Sequence, residues 1–330
     1  MRALITGGAG FIGSHLAEEL LKEGNKVTVV DDLSTGRREN ISHLRENSRF
    51  CFVQDTIMNK EKMRELIDDC EVIYHLAAAV GVKFIIDYPL KSMEINVRGT
   101  EIVLELAGRE KKKVLLTSTS EIYGKKEDGL FKEDDDRVLG ATTISRWSYS
   151  CTKALDEFLA LAYHRKRGLP VAIVRLFNTC GPRQTGRYGM VIPRLVKQAL
   201  SGKPLTVYGD GKQTRSFTYV TDVIKAIVSL TNHPKAVGEI FNLGSEEGIS
   251  IYGLAEKIKE LTHSQSEIVF VPYEKAYENN FEDMRHRVPD ISKIRNLIGY
   301  SPRVRLDEML KRIIESKKEA QRHKGTEAQS

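Results

Sequence analysis

Residues 2–13 read RALITGGAGFIG, and their order decides the fold: an apolar run, then glycines, then the start of an amphipathic segment. "RALITGG" (2–8) is short, apolar and stopped by glycine, which predicts a buried parallel strand. "IGSHLAEELLKEG" then carries Ile12, Leu16, Leu20 and Leu21 on one helical face and stops at Gly24. Gly7, Gly10 and Gly13 therefore fall in the turn between a strand and a helix. Glycines there allow a tight turn and let the backbone approach a pyrophosphate, which the free N–H groups and positive dipole end of the helix attract. Asp31 closes the next strand, "KVTVVDD" (26–32), where the dinucleotide pattern needs an acid. Its carboxylate is placed to accept bonds from both ribose hydroxyls of an adenosine and to repel a 2′-phosphate. The pattern thus favours NAD over NADP, although Arg37 and Arg38 close by weaken the preference. Asp55 follows a third strand and is expected at the adenine amino group, while "HLAA" (75–78) offers small side chains along the cofactor's path.

Outward from this loop the rhythm continues. Strands are expected at 71–78, 113–119 and 170–178, and helices near 60–69 and at 96–112 and 149–168. Such alternation predicts an α/β protein with a Rossmann-type doubly wound parallel sheet. After about residue 180 the texture changes to loops rich in Gly, Pro and Arg, a helix at 190–201 and the strand "LTVYG". That predicts a smaller, mixed α/β C-terminal region. The expected division is 1–178 for the dinucleotide half, with later strands returning to it around 216–245, and 179–315 for the substrate half. The polar tail 316–330 has no core face and is expected to be a helix end that frays into disorder.

The net charge of +6 is spread along the chain with acids between, which disfavours nucleic acid as a partner. No apolar run reaches the ~20 residues of a membrane span. The first strand begins at residue 2, so no signal peptide is expected. The four cysteines, Cys51, Cys70, Cys151 and Cys180, show no metal-ligand spacing, and free buried thiols in a cytoplasmic protein are the expectation.

Tyr149 and Lys153 are one helical turn apart and share a face. A tyrosine titrates near ~10, too high for a base at neutral pH. A nearby ammonium and a positive nicotinamide ring would stabilise its phenolate. Thr119 ends the neighbouring strand, where its hydroxyl can bond a substrate oxygen. Alternation along a strand keeps Thr119 and Ser120 from facing the same side unless the strand has ended. Glu121 stands open between a chemical role and a bond to the backbone of the next turn.

The motifs "TGGAGFIG", "DDLSTG" (31–36), "YHLAA", N-x-x-GT at 96–100, "STSEIYG" (118–124), "YSCTK" (149–153), "RLFNTCGPR" (175–183) and "PLTVYGDGKQTRSFTYVTDV" (204–223) occur together. With them, residues 1–315 resemble the extended short-chain dehydrogenase/reductase superfamily, within it the nucleotide-sugar epimerases, dehydratases and decarboxylases. The resemblance implies catalytic roles for Thr119, Tyr149, Lys153 and Glu121. It implies cofactor contacts from Gly7, Gly10, Phe11, Ile12, Gly13, Asp31, Asp32, Ser34, Thr35, Gly36, Asp55, Thr56, Leu76, Ala77, Ala78, Asn96, Thr117 and Leu176, besides Tyr149 and Lys153. For a UDP-sugar it implies Asn178, Arg187, Val191, Arg194, Val207, Tyr208, Gln213, Arg215 and Arg287, with Arg187 and Arg194 also readable as rim charges. No metal is implied.

In such enzymes the tyrosine takes a proton from a sugar hydroxyl while NAD takes a hydride from the same carbon and later returns it. "TSE" at 119–121 lacks the extra acid of the dTDP-glucose dehydratases. The UDP-glucuronate decarboxylases share "TSE" and an arginine three residues before the tyrosine, here Arg146, but usually carry "YDEGK" in place of "YSCTK". "GATTISRWSYSCTKALDEFLALAYH" and "GPRQTGRYGMVIPRLV" look most like bacterial UDP-glucose or UDP-glucuronate 4-epimerases. The expectation is therefore 4-epimerisation of a UDP-sugar, with decarboxylation of UDP-glucuronate as the alternative and 4,6-dehydration less favoured. Relatives imply a homodimer joined through helices 96–110 and 150–167.

Overall fold

β1 (Arg2–Thr6), β2 (Lys26–Val30), β3 (Phe50–Val53), β4 (Val72–His75), β5 (Lys113–Thr119) and β6 (Val171–Leu176) form most of one sheet. They are drawn from a computed structural model that describes residues 1–126, 129–186, 190–276 and 282–327. Beyond β6 come β7 (Thr179–Cys180), β8 (Leu205–Tyr208), β9 (Thr214–Ser216), β10 (Thr218–Tyr219), β11 (Ile240–Leu243), β12 (Gly248–Ser250), β13 (Ile268–Val271) and β14 (His286–Arg287). The helices are α1 (Phe11–Lys22), α2 (Lys60–Asp68), α3 (Val82–Asp87), α4 (Pro89–Glu110), α5 (Trp147–Arg167), α6 (Val191–Leu200), α7 (Val220–Asn232), α8 (Ile251–Thr262), α9 (Tyr273–Ala276), α10 (Ser292–Ile298) and α11 (Leu306–Glu327).

The seven-stranded sheet has the order β11-β6-β5-β4-β1-β2-β3 and is parallel throughout. Both faces are covered, which is why its strands read as nearly unbroken apolar runs. Alternation along β1 sends Ala3 and Ile5 into one core with Leu16 of α1 and Val223 of α7. It sends Leu4 into the opposite core with Met63 of α2, Leu104 of α4 and Ala160 of α5. Strand order reverses between β1 and β4, so their carboxyl ends open a crevice of the kind that holds ligands in doubly wound sheets.

The smaller region has its own core, in which Leu195 of α6, Leu254 of α8 and Leu310 of α11 surround Leu205 and Val207 of β8. β8 pairs with β13, and β9 lies between β12 and β14. Chain and space do not divide at one cut, because α7 and β11 return to the large sheet after β7–β10 have left it.

Three expectations are corrected. The helix expected from 96 begins at Pro89, whose fixed φ and missing N–H suit a first helical turn. The tail expected to fray is helical through Glu327. Buried Met309, Leu310, Ile313 and Ile314 anchor that helix, and the Lys, Glu, Ala and Gln that follow are good helix formers. Finally, Cys70 and Cys180 are buried but Cys51 and Cys151 are exposed. Cys51 sits on the edge strand β3, and Cys151 on the outer side of α5.

Candidate active site

The carboxyl ends of β1, β4, β5 and β6 open into a cavity of about 470 Å³ whose other wall comes from the smaller region. At its floor the chain leaves β1 with Gly7 at φ +71°, where a Cβ would lie 2.8 Å from the Ala77 backbone. A Cβ on Gly13 would lie 2.4 Å from the Gly7 carbonyl oxygen. The N-terminus of α1 has no side-chain cap and no acid in its first turn, so its N–H groups face the cavity free of a competing anion. This cradle fits the pyrophosphate of a dinucleotide.

The Asp31 carboxylate lines the same cavity and accepts from the Ala9 N–H (3.0 Å) and the Leu33 N–H (2.8 Å). Burial pushes its pKa up against the pull of those two donors. Asp55 is likewise oriented, by the Thr56 N–H (2.7 Å) and the Asn59 amide (3.0 Å). Gly10, Phe11, Ile12, Asp32, Ser34, Thr35, Thr56, Leu76, Ala77, Ala78, Thr117 and Leu176 also line the cavity. Gly36 and Asn96 do not. A Cβ on Gly36 would press to 2.7 Å from the Asp31 carboxylate, so Gly36 backs that acid. The Asn96 amide is spent on the Ala79 N–H (2.7 Å) and carbonyl (3.2 Å), holding the loop after β4.

β5 ends at Thr119, whose hydroxyl accepts from the Glu121 N–H (3.2 Å) and so starts a single 3-10 turn over Ser120–Tyr123. The turn resolves the alternation: Ser118, Thr119 and Glu121 line the cavity and Ser120 is fully buried away from it. Tyr149 and Lys153 line it from one face of α5. Burial, and then the Glu121 and Asp156 carboxylates, push the Tyr149 pKa above its ordinary value, while Arg287 and the Thr119 hydroxyl pull the other way. Lys153, expected to favour the phenolate together with a nicotinamide ring, donates its ammonium to Asp156 at 2.8 Å.

Glu121 serves the turn through its N–H, and its carboxylate takes Arg287 at 2.6 Å and Arg146 at 3.2 Å. Arg146 also approaches Asp283 (3.3 Å), which Arg215 (3.0 Å) and the Tyr273 hydroxyl (3.0 Å) engage as well. Burial raises the pKa of Glu121 and Asp283, but the guanidinium groups outweigh it and hold both below the usual carboxylate range. Three arginines face two carboxylates here, which leaves this wall with surplus positive charge suited to an anionic ligand.

Asn178, Val191, Arg194, Tyr208, Gln213, Arg215 and Arg287 all line the cavity. The Asn178 amide donates to the Ser216 carbonyl (2.8 Å) and accepts from Arg287. Arg194 is no rim charge: its guanidinium lies 4.0 Å over the Tyr208 ring and donates to the Thr206 carbonyl at 2.9 Å. Val207 points the other way, fully buried in the smaller core, because neighbours on β8 alternate. Arg187 lies outside the described residues. Sequence reasoning left out Asp283 and Tyr273 and gave Arg146 no place in the site. The one signal was "DMRHR", which puts Asp283 just upstream of Arg287 in the sequence. Phe84 of α3 also lines the cavity and carried no motif at all. Among the described residues no group of His, Cys, Asp and Glu is arranged to hold a metal, and no helix is long and apolar enough to cross a membrane.

A family profile described as GDP-mannose 4,6 dehydratase matches residues 4–313. The chain is 47% identical over 315 residues to a UDP-N-acetyl-alpha-D-glucosaminuronate decarboxylase of Bacillus cytotoxicus, covering 95% of this chain and 97% of that one. It is 38% identical to UDP-glucuronic acid decarboxylase 1 of Arabidopsis thaliana, covering 95% and 69%. A solved UDP-glucuronic acid 4-epimerase of Bacillus cereus, in complex with UDP-glucuronic acid and NAD, superposes with a TM-score of 0.87 at 34% identity, covering 97% of this chain and 100% of that one.

Proposed function

This chain belongs to the GDP-mannose 4,6-dehydratase family of short-chain dehydrogenases/reductases, and from that premise we propose that it decarboxylates a UDP-hexuronate with bound NAD. The observation that carries this reading is the 47% identity, over nearly the full length of both chains, to a decarboxylase of a UDP-hexosaminuronate. It displaces the 4-epimerisation favoured by the motifs "YSCTK" and "GPRQTGRYGMVIPRLV".

The residues present support the same chemistry. The α1 cradle would hold the pyrophosphate of NAD and Asp31 its adenosine ribose, and the bound cofactor would supply a hydride acceptor for the sugar C4. Tyr149 takes the C4 hydroxyl proton, and Thr119 holds the same oxygen. A ketone at C4 makes the 6-carboxylate a β-keto acid. Its C5–C6 bond then breaks with the electron pair passing toward the ketone oxygen, and CO₂ leaves. Protonation at C5 and return of the hydride complete a UDP-pentose. Arg146 and Arg287 supply the positive charge that a second anion on the sugar requires, and Asn178, Arg215 and Tyr208 stand where the UDP half would lie.

A second reading, 4-epimerisation of a UDP-uronate, is favoured by the likeness to the Bacillus cereus epimerase. The two share every step up to the 4-ketone and part at the C5–C6 bond. NMR of the products from UDP-glucuronate and from UDP-N-acetylglucosaminuronate separates them. The expected result is a UDP-pentose with one equivalent of CO₂. A C4-inverted hexuronate with all its carbons overturns decarboxylation, and no turnover of either overturns both. The homodimer belongs to this reading too, since α5 leaves Leu155 and Phe158 exposed at 44% and 60%.

A further inference from the structure

We propose that Asp156 is a positioning residue for the proton transfer at Tyr149: its carboxylate anchors the Lys153 ammonium, and the two act on the tyrosine as one charged unit. The inference rests on the dehydrogenase-type chemistry above and goes beyond it, because a lysine working alone would be a bare positive charge.

Lys153 and Asp156 lie three residues apart on α5, and their side chains are 3% and 0% exposed. Nζ and Oδ2 are 2.8 Å apart. In so dry a setting an ammonium needs a partner, and the partner's charge is not screened by water.

The groups packed around the pair leave Asp156 in that role. From β4, His75 is pushed down to about 3, by burial first and by Lys153 second, so it is neutral. Its ring bonds the hydroxyls of Thr6 (2.8 Å) and of Thr100 on α4 (3.1 Å), and Thr100 in turn faces Asp156. From β5, Thr117 donates to the His75 carbonyl at 2.9 Å. On α5 itself, Glu157 is taken by both arms of Arg175, at 3.0 and 2.8 Å. Toward Tyr149 the charged groups are Glu121 from the 3-10 turn and Arg287 from β14, with Arg146 paired to Glu121. The Asp156 charge therefore opposes the phenolate that Lys153 would otherwise favour, and the strength of Tyr149 as a base is set by both members of the pair.

The test uses the NAD-loaded protein and Asp156→Asn, which keeps shape and removes charge. The phenolate absorbance of Tyr149 is titrated as the difference from Tyr149→Phe in the same background. The expected midpoint falls by about one pH unit, the scale of one neighbouring charge, and the acid limb of kcat against pH moves the same way. A salt bridge of merely structural use would lower the melting temperature and leave the midpoint in place. A midpoint that is unmoved or raised overturns the proposal. Should Asp156→Asn not fold, Asp156→Ser gives the same readout, with room for a water beside the ammonium. The titration needs no sugar, so its outcome is independent of whether a UDP-uronate proves to be the substrate.

Discussion

Tyr149 meets opposed forces: burial and two carboxylates favour its neutral form, while Arg287 and Thr119 favour the phenolate. If it is the proton acceptor, Tyr149→Phe keeps its NAD and loses turnover by about a hundred- to ten-thousand-fold. Near-normal turnover in that variant removes the role. Asp31 is already oriented by two backbone N–H groups before any ribose arrives. Asp31→Ala should weaken NAD binding by about tenfold or more, the worth of charge-assisted hydrogen bonds; calorimetric titration finding an unchanged dissociation constant would contradict the assignment. Glu121 and Asp283 have depressed pKa values, so the stability they contribute is present above the ordinary carboxylate range and is lost as pH falls through their lowered values. Thermal stability should decline gently once pH drops below the ordinary histidine range, because the unfolded state takes the proton that buried His75 refuses. It should decline more steeply below about pH 4, as these carboxylates are protonated. A stability that shows no further loss below about pH 4 would contradict the ion-pair assignment.

The strand–glycine–helix unit at the N-terminus was legible because local geometry alone demands its glycines. Gly13→Ala places a methyl group 2.4 Å from the Gly7 carbonyl oxygen, and that oxygen is fixed by the turn. The variant should fold, with near-normal far-ultraviolet circular dichroism, yet purify without NAD; retention of a full complement of NAD would sink the cradle argument. Thr119 was legible as the end of β5, but not the 3-10 turn that turns Ser120 inward and Glu121 toward the arginines. The turn's bond is only two residues long, yet the carboxylate it aims meets Arg287, more than 160 residues away in the chain. Val207 was misread for the opposite reason: it is adjacent to Tyr208, and a strand cannot turn both side chains into one pocket.

For the molecule as a whole, α4 and α5 lie together on one face of the sheet, and α5 turns Leu155 and Phe158 to solvent. Large apolar side chains exposed side by side on a helix call for cover. The chain should sediment as a dimer at micromolar concentration, and Phe158→Glu should sediment as a monomer while keeping its fold. A wild-type monomer, or a Phe158→Glu dimer, rules out this face. The same scale explains the two-layered site: the dinucleotide half comes from the carboxyl ends of the large sheet, and the arginines come from β9, β14 and the start of α5.

By itself the sequence determined the alternating parallel architecture, the phosphate cradle, Asp31 and the Tyr149–Lys153 pair, because each depends on spacing within a single turn, strand or helix. Only the tertiary structure decided that Lys153 is bound to Asp156, that Glu121 is held between Arg146 and Arg287, and that Asp283 joins Arg215. Such partners are chosen by which buried charges the packing brings within about 3 Å, where little water remains to screen them, and periodicity along a chain carries no record of that distance.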